Sequence, residues 1–477
     1  MWSRLRTKIA VSVVVTSVSA TANIAYVHNS PSQYEVACHK LGLNQPMQPE
    51  ALLRIFQMSG YLKQNNLWSA LYRSQSLAQP ADVFIQSMNL LNKYSADKEP
   101  QDFDAGMVTK NLFGKSQKYF WQYLWPSKAE VTDTEAAEII LYLGQTAFDR
   151  KTNQERSELN NYNWMTEYSS QYFQEARKLD LIDSIEPNYE IDYNLALVLG
   201  ASRAGLYARL VELNYYIAND LKADAISVLA GQRELWAQID GISPKVLDIL
   251  ISAKNDKLSM NDVNIKVLAN PPQERTDEGK KYLVELAQKS AISFNLDNPI
   301  VDRDGRSYLN YAPDETSKLT ETLMSLDLLE EFGLNYHIVD TIHHESAMRP
   351  NTQSTAKDTA ERFIKEVIDG KYGGTTEFNL LAVSNNPYIN RQAIAVQREF
   401  NKIIEAHGLA DKIIVKIHGV GFQCLQGVTT IHSELGALIS ELFVDAYSAD
   451  NIDTLMFRTR DNDMDVPEMP TLGDNIE

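Results

Sequence analysis

Two patterns of apolar residues divide this chain close to Pro187. Between about residues 48 and 183, apolar residues recur at intervals of three and four, for example at Leu52, Ile55 and Phe56, and this period predicts helices. Beyond Pro187, short β-rich runs alternate with longer amphipathic segments, which is typical of βαβ units and a parallel sheet. The pattern therefore predicts an all-α domain followed by an α/β domain.

The second pattern locates the elements of the predicted sheet. Strands are predicted at 195–199, 225–229, 336–339, 378–383 and 413–417, and helices at 205–219, 321–332, 356–368 and 390–407. Right-handed crossovers would place these helices on both faces of the sheet. A ligand would then bind outside the carboxyl ends of the strands, near a topological switch point.

Small, polar and cationic residues follow several of the predicted strands. The first strand runs into Gly200, Ala201 and Ser202, and a helix begins directly afterwards. Such a turn directs backbone N–H groups and a helix N-terminus at one point, which suits an anion. The turn lacks the full G-x-G-x-x-G pattern, so the indication of a dinucleotide is weak. Further candidates after later strands are Gly231, Arg233, Ser384, Asn385 and Arg391.

The charge of the chain limits its partners. The 45 Lys and Arg residues against 63 Asp and Glu residues give a net charge of −18. A field of this sign repels phosphate backbones and anionic lipid surfaces unless a local basic patch reverses it. We therefore expect no nucleic-acid partner. The content of 44% hydrophobic and 23% charged residues is that of a folded globular protein and excludes a disordered chain.

The first residues have the composition of an export signal. Arg4, Arg6 and Lys8 form a cationic start, an uncharged Val-rich stretch follows, and small residues at 20–22 fit a signal peptidase site. We expect residues 1–22 to be a cleaved signal peptide and the mature protein to be periplasmic or secreted. The alternative is an uncleaved inner-membrane anchor, because the uncharged stretch after Lys8 is long enough to cross a bilayer.

Cys38 and Cys424 are the two cysteines of the chain. In an exported protein an even number permits one disulfide, which would tie the N-terminal region to the end of the α/β domain. Two unrelated thiols are the alternative. No C-x-x-C occurs, so a structural zinc site or a thioredoxin-type redox centre has no ligand set.

The remaining segments complete the predicted domain organisation. The helical domain spans residues 23–187, and we expect its aromatic stripes at 119–125 and 162–173 to lie in its core, with a grip on an envelope protein partner as the alternative. The α/β domain spans residues 188–450 with an insertion at about 232–319. Residues 451–477 are expected to be an acidic, solvated tail.

The residues around the predicted strand ends resemble, in order, the motifs of a bacterial family of unknown function, the SanA/ElyC/YdcF-like family (domain of unknown function 218). The family's strand, Gly turn and helical Arg are similar to residues 197–200 with Arg209. Its second strand, which ends in Ser-Gly-Gly, resembles residues 227–231 with one Gly lost. Its Glu-opened helix is similar to residues 321–333, which begin at Glu321.

Two later motifs of the family are matched with replacements. An acid followed by Asn-Thr-x-Glu-Asn-Ala resembles Glu345 and residues 351–356, where the inner Glu and Asn are replaced, and a second register at 354–358 also fits. The motif Val-Thr-Ser-x-x-His-x-x-Arg is similar to residues 383–391. Its His is replaced by Tyr388, which can still donate a hydrogen bond but does not carry over the role of a proton-donating imidazole.

The resemblance covers roughly residues 194–420, apart from the insertion, and leaves the helical domain unexplained. It implies a Rossmann-like fold, and SanA- and ElyC-like members imply work in the envelope beyond the inner membrane. YdcF-like members imply binding of S-adenosylmethionine, but that cofactor is cytosolic and conflicts with the export signal. The cofactor therefore stays unknown.

Two other groups of residues offer incomplete ligand sets for a metal ion. Residues 302–305 alternate carboxylates before a Gly, as in a calcium loop, but the first acid and the final Glu of such a loop are missing. His343, His344 and Glu345 follow the third strand, but neighbours in an extended segment point to opposite faces. We therefore expect a solvated turn at the first place, Glu345 as a rim residue at the second, and no metal site.

Two functions of the predicted cleft stay open. The first is an exported, envelope-associated protein that binds an anionic small molecule, either phosphate-bearing or nucleotide-like. The alternative is a transferase or hydrolase that acts on a phosphorylated or S-adenosylmethionine-like substrate, with Glu321 or Glu345 as base. The residues expected to bind the ligand, with the arginines as clamps on negative charge, are Gly200, Ala201, Ser202, Arg209, Gly231, Arg233, Asn351, Thr352, Ser384, Asn385, Tyr388 and Arg391.

Overall fold

The computed structural model of the protein describes residues 33–58, 163–231, 237–263, 320–334, 336–340 and 351–447, with residues 137, 140, 141, 235, 265, 281, 300–301 and 307–308. All of them belong to one compact unit, Ser32–Glu477. The predicted signal peptide, the aromatic stripe at 119–125 and the acidic tail lie outside the described residues. Their assignments stay predictions.

Helices are described on both sides of the gap in the N-terminal part. They are α1 (Gln33–Lys40), α2 (Gln48–Met58), α3 (Asn163–Glu167) and α4 (Ser169–Lys178). Helix α2 contains the first periodic run and fully buries Leu52, Ile55 and Phe56, while α4 fully buries Tyr172 of the second aromatic stripe. The helical pattern is thus confirmed for α2 and α4, and the extent of a separate helical domain stays a prediction.

The described strands of the α/β part form a five-stranded parallel sheet in the order β7-β4-β2-β8-β9. All of the predicted strands are confirmed. The common direction of the strands puts their carboxyl ends at one edge of the sheet. The strands are β2 (Leu195–Leu199), β4 (Ile226–Leu229), β7 (Tyr336–Asp340), β8 (Glu377–Asn385) and β9 (Ile414–Phe422), and short pairs join β1 (Asp192–Tyr193) to β3 (Lys222–Ala223) and β5 (Ile300–Val301) to β6 (Ser307–Tyr308).

Helices connect the parallel strands. The predicted helices are confirmed, whereas α6 and α7, which lie in the predicted insertion, and α11 were not predicted. The helices are α5 (Arg203–Ala218), α6 (Ala237–Asp240), α7 (Pro244–Asp256), α8 (Glu321–Phe332), α9 (Thr352–Ile368), α10 (Ile389–Ala406) and α11 (Val428–Tyr447).

Apolar cores cover both faces of the sheet. Alternate residues of β2 point to opposite faces, so Ala196 and Val198 pack with α5, α7 and α8, whereas Leu195, Leu197 and Leu199 pack with α9 and α10. Every residue of β2 is buried, as expected for a central parallel strand between two helical layers. The prediction of an α/β layer structure is therefore confirmed.

The outer edge of β9 is blocked by side-chain and main-chain groups. Gln397 of α10 donates to the carbonyl of Val415 and accepts from the N–H of Ile417, both at 2.9 Å. Farther along the strand, Ile185 exchanges both main-chain hydrogen bonds with Gly421 at 2.9 Å. Because an open edge strand pairs readily with other chains, these contacts protect the sheet from edge-to-edge association.

Helix α11 joins the sheet layer to the N-terminal helices. On one side it packs against α10 through ion pairs one heptad apart, Arg391 with Glu434 and Arg398 with Glu441. On another side the hydroxyl of Tyr172 in α4 lies 3.0 Å from Nδ1 of His432. Helix α4 therefore packs on the last described helix of the chain, and α2 packs on α4.

The two cysteines are not joined to each other in this structure. Cys38 is buried in α1 and Cys424 lies just after β9, and neither forms a disulfide. Burial raises the pKa of the Cys424 thiol to about 12, opposed by the N–H of Gln426. The cross-link that an exported chain would permit is thus absent here, and Cys424 is a protonated, unreactive thiol at neutral pH.

Candidate functional site

The candidate site is the rim formed by the carboxyl ends of the parallel strands. The order of the strands reverses at β2, because β4 and β7 lie on one side of it and β8 and β9 on the other. Connections that leave neighbouring strands in opposite directions open a crevice between them, where α/β proteins place their ligands. The turn after β2 and the end of β8 flank this reversal.

The turn after β2 is more accessible to solvent than the strand ends beside it. Gly200, Ala201 and Ser202 are half-buried, whereas all of β2 and the run from Ser384 to Tyr388 at the end of β8 are buried. Helix α5 begins directly after Ser202, whose side chain does not cap the helix. The predicted turn and helix N-terminus are therefore in place and partly open.

Position 200 requires a glycine because neighbouring atoms leave no room for a Cβ atom. A Cβ atom at this position would meet the carbonyl oxygen of Leu229 at 2.6 Å and would also collide with the carboxylate of Glu321. Glu321 opens α8 and is 8% exposed. The structure therefore brings together the Gly turn and one of the two carboxylates predicted from the sequence, although 121 residues separate them.

Arg209 links the carboxyl ends of β2 and β8 through hydrogen bonds. Its Nη1 donates to the carbonyls of Leu199 and Gly200 at 2.6 and 2.8 Å, and its Nε and Nη2 donate to Oδ1 of Asn385 at 3.2 and 2.9 Å. The side chain is 3% exposed. Arg209 thus holds β2 and β8 together across the reversal, and protein acceptors use donors that the sequence reasoning had assigned to the negative charge of a ligand.

A carboxylate already lies at the N-terminus of α5. Oδ1 of Asp240, a fully buried residue of α6, accepts the N–H of Arg203 at 3.2 Å. Negative charge is favourable at this place because unpaired N–H groups and the helix dipole face it. Sequence reasoning expected an anionic ligand there, and the structure shows that part of this capacity is used by the protein itself.

Arg203 is paired with a carboxylate and therefore adds no net positive charge to the turn. Nη2 of Arg203 lies 2.8 Å from Oδ2 of Asp327 in α8, and the two side chains are 2% and 4% exposed. Together with Asp240 and Glu321, the carboxylates near the turn outnumber the guanidinium groups of Arg203 and Arg209. The described surroundings of Gly200 are therefore suited to ligand groups that donate hydrogen bonds.

The end of β8 is linked to the start of α9. The hydroxyl of Ser384 donates to Oε1 of Gln392 at 2.6 Å, and Nε2 of Gln392 donates to Oγ1 of Thr352 at 3.5 Å. Ser384 is fully buried. The predicted residues Ser384 and Thr352 therefore lie in one chain of hydrogen bonds, and Ser384 is held as a donor to an amide rather than aimed at an open cleft.

Other predicted residues have structural tasks at the same rim. The carbonyl of Gly231 accepts from the hydroxyl of Thr322 at 3.2 Å. Asn351 caps α9 in a capping box with Ser354. The N–H of Tyr388, which is 8% exposed, donates to the carbonyl of Asn385 at 2.9 Å.

Arg391 is paired with a structural acid. Its Nε pairs with Oε1 of Glu434 in α11, and the two side chains are 17% and 2% exposed. This pair accounts for the position of Arg391 without a ligand anion, and its role as a ligand clamp stays a prediction. That acid comes from a helix that the sequence pattern did not predict.

Some predicted residues lie outside the described part of the chain. These are Arg233, Glu345, the two histidines before Glu345, and residues 302–305. Among the described residues, no group of three or more His, Cys, Asp or Glu side chains is arranged to hold a metal ion. No described helix is long and apolar enough to span a membrane.

Sequence reasoning missed several residues of the rim. Asp240 and Asp327 lie in helices far from the Gly turn in sequence, and Gln392 lies one turn into α10. The available signal was a polar residue within a segment that is predicted to be buried. A polar side chain in such a segment requires a hydrogen-bond partner. That signal marks a residue as paired but does not name the partner.

Comparison of the chain with protein-family models, with curated proteins and with solved structures finds no match. The description of the site therefore depends on the geometry of the described residues.

Proposed function

We propose that the protein binds a small nucleotide-like molecule at the crevice between β2 and β8. The observation that carries the proposal is the half-buried Gly200 turn at the reversal of strand order, with the Glu321 carboxylate against it. Counted along the chain, the order of the parallel strands is 3-2-1-4-5, which is the Rossmann order 3-2-1-4-5-6 without its last strand. This order supports the Rossmann-like assignment and the resemblance to the SanA/ElyC/YdcF-like family.

The polarity of the turn decides which part of such a molecule fits best. Arg209 is used by protein acceptors, and Asp240 and Glu321 place negative charge near the turn. Sugar hydroxyls and amino groups donate hydrogen bonds to carboxylates, whereas a phosphate is repelled by them. A nucleoside-like ligand without a requirement for phosphate is therefore favoured over a phosphate-bearing one.

Catalysis at this site is the second candidate, and the position of Glu321 favours it. A carboxylate at the wall of a crevice can accept a proton from a bound hydroxyl or amine, which would suit a transferase or hydrolase. Ser384 is not placed as a nucleophile, because its hydroxyl donates to Gln392. In this proposal Glu321 is the base and the attacking group belongs to a substrate.

The proposed setting of this activity is the bacterial envelope. The cationic start and small residues of segment 1–22 support export, and the net charge of −18 supports a small-molecule partner over a nucleic acid. The aromatic stripes are the sole support for the further proposal that the helical part binds an envelope protein. An inner-membrane anchor is the alternative if the segment stays uncleaved.

Calorimetric titration with a small panel tests the proposal. The probes are adenosine, S-adenosylmethionine, ATP and inorganic phosphate, applied to the wild type, to Glu321→Gln and to the control Glu330→Gln. Glu330 lies on the same helix but is exposed. We expect a nucleoside probe to bind the wild type and the control, and to bind Glu321→Gln at least ~10-fold more weakly, as for loss of a charged hydrogen bond. Binding of phosphate alone, or no binding by the wild type, would refute the nucleoside assignment.

A further inference from the structure

A second unusual carboxylate lies in α5, away from the candidate site. Glu212 is fully buried, and its Oε2 accepts the N–H of Met260 at 2.6 Å. Its other oxygen, Oε1, and the hydroxyl of the neighbouring Tyr216 are both buried, and the two side chains interact with each other. A buried carboxylate without a cationic partner is costly when it is charged.

The titratable side chains that interact with Glu212 come from three segments of the chain, and all of them are acidic or phenolic. Tyr216 lies on the same helix, Asp262 on the segment after α7, and Glu186 and Tyr189 on the segment before β1. Burial raises the pKa of Glu212 to about 7, hydrogen bonds from the N–H of Met260 and the hydroxyl of Tyr216 oppose this, and Glu186 and Asp262 reinforce it.

The nearest lysine of helix α7 does not offset this acidity. Nζ of Lys254 lies 3.2 Å from Oε1 of Glu331 in α8. Glu212 therefore lacks a charged partner of opposite sign among the groups that shift its pKa.

The segment that Glu212 holds also reaches the rim. This segment, residues 257–263, follows α7 and begins with Lys257 in the left-handed conformation at φ 53°. A local turn joins Ser259 to Asp262, with Oγ of Ser259 donating to Oδ2 of Asp262 at 2.5 Å. Oδ1 of Asn261 accepts the N–H of Gln423 at 2.9 Å, and Gln423 directly follows β9 at the carboxyl edge of the sheet.

We propose that Glu212 is a proton-controlled latch that docks segment 257–263 and, through Asn261, the loop after β9. With a proton on Glu212 the segment is closed, because the neutral carboxyl is compatible with burial. Without the proton, an uncompensated charge lies under Met260, and exposure of the carboxylate to water favours opening of the segment. Opening would break the bond between Met260 and Glu212 and free Gln423 from Asn261.

The direction of the effect follows from linkage. The closed state holds the proton more tightly than the open state, in which the carboxyl regains its ordinary pKa near 4.5. Closure is therefore fully supported below pH 4.5 and is weakened as the pH rises towards 7. Between pH 5.5 and 8 the opening equilibrium should shift by roughly 10- to 30-fold towards the open segment. This latch does not depend on the proposed ligand.

Hydrogen exchange of the intact protein at pH 5.5 and pH 8 tests the latch. After correction for the intrinsic dependence of exchange on pH, we expect the peptide covering residues 257–263 to lose roughly 10-fold protection or more at pH 8, while α9 keeps its protection. Glu212→Gln should remove this difference. Glu190→Gln, a change at an exposed acid, should retain it.

Equal protection of residues 257–263 at both pH values in the wild type would overturn the proposal. The comparison with α9 within the wild-type chain decides the matter even if Glu212→Gln fails to fold. An unchanged pH dependence in folded Glu212→Gln would also overturn it, because another group would then be responsible.

Discussion

At the scale of single residues, the rim is built from polar groups that satisfy one another. Arg209 donates hydrogen bonds to the carbonyls of Leu199 and Gly200 and to the side chain of Asn385. Asp240 accepts a hydrogen bond from the first N–H group of α5. Residues that look like ligand clamps in the sequence are thus used to fix the shape of the turn, and the half-buried Gly200 turn is the candidate contact.

Arg209→Met should destabilise the protein strongly. The change removes a buried donor set and leaves the acceptors of Leu199, Gly200 and Asn385 without their partner. We expect a loss of about 3 kcal/mol in the free energy of unfolding. Urea denaturation measures this loss, and Arg177→Met, at an arginine whose side chain is 55% exposed, should cost less than about 1 kcal/mol. Equal losses in the two variants would contradict the bracing role.

Glu212→Gln should change how stability depends on pH. In the wild type the raised pKa of Glu212 contributes stability below pH 4.5 that is lost as the pH rises through about 7. The variant cannot lose this contribution, so its free energy of unfolding should fall less between pH 5 and pH 8. The difference between the two profiles should be on the order of 3 kcal/mol at most. Parallel profiles for the two proteins would refute the assignment.

At the scale of elements, the sequence was most informative where a local pattern was complete. The central strand β2 was predicted with its bounds because a short apolar run ends at a Gly turn. Helix α8 was predicted with its bounds, and in the structure the side chain of Thr320 caps its first turn and Gly333 ends it in the left-handed conformation. Such signals act within a few residues and do not depend on the tertiary fold.

Helix α11 could not be recognised in the same way. It packs against α10 on one side and α4 on another, and buried positions such as Ile431, Leu435 and Phe443 are interspersed with buried His432 and Glu434. A helix enclosed by several neighbours lacks the single apolar stripe that periodicity detects. The partner of Arg391 was missed for this reason, and with it the structural role of that residue.

Arg391→Met should weaken the contact between α10 and α11 without affecting the site. It removes the guanidinium from the carboxylate of Glu434, whose side chain is 2% exposed, and loss of one partner of such a buried pair costs about 3 kcal/mol of stability. The double variant with Glu434→Gln should recover part of this loss. Denaturation of the single and double variants measures the coupling. A loss of affinity in Arg391→Met for a probe that binds the wild type would restore the ligand-clamp interpretation instead.

At the scale of the whole molecule, the sequence predicted the architecture better than the site. Parallel strands joined by helices place their carboxyl ends at one edge, so the position of the rim followed from strand order alone. The pairs that define its chemistry span large sequence separations, as between Arg203 and Asp327 or Gly200 and Glu321. Periodicity contains no information on which buried acid meets which base.

The predicted export is tested by the N-terminus of the mature protein. The cationic start and the small residues at 20–22 predict cleavage after Ala22, so the mature chain should begin at Asn23. Mass spectrometry of the protein from the producing cell, after fractionation, measures this directly. A chain that begins at Met1 in a soluble cytosolic fraction would contradict export, and the same chain in the membrane fraction would support the anchor.

The central claim, a ligand site at the Gly200 turn, is tested most directly by titrating Gly200→Ala and Gly427→Ala beside the wild type. The added methyl at Gly200 would collide with Leu229 and Glu321, whereas the one at Gly427 meets no atom within 4 Å. With the nucleoside probe of highest affinity from the panel, we predict that Gly427→Ala binds like the wild type and that Gly200→Ala, while folded, binds at least ~10-fold more weakly, the scale of a shifted contact. Equal affinity in all three proteins would contradict the claim.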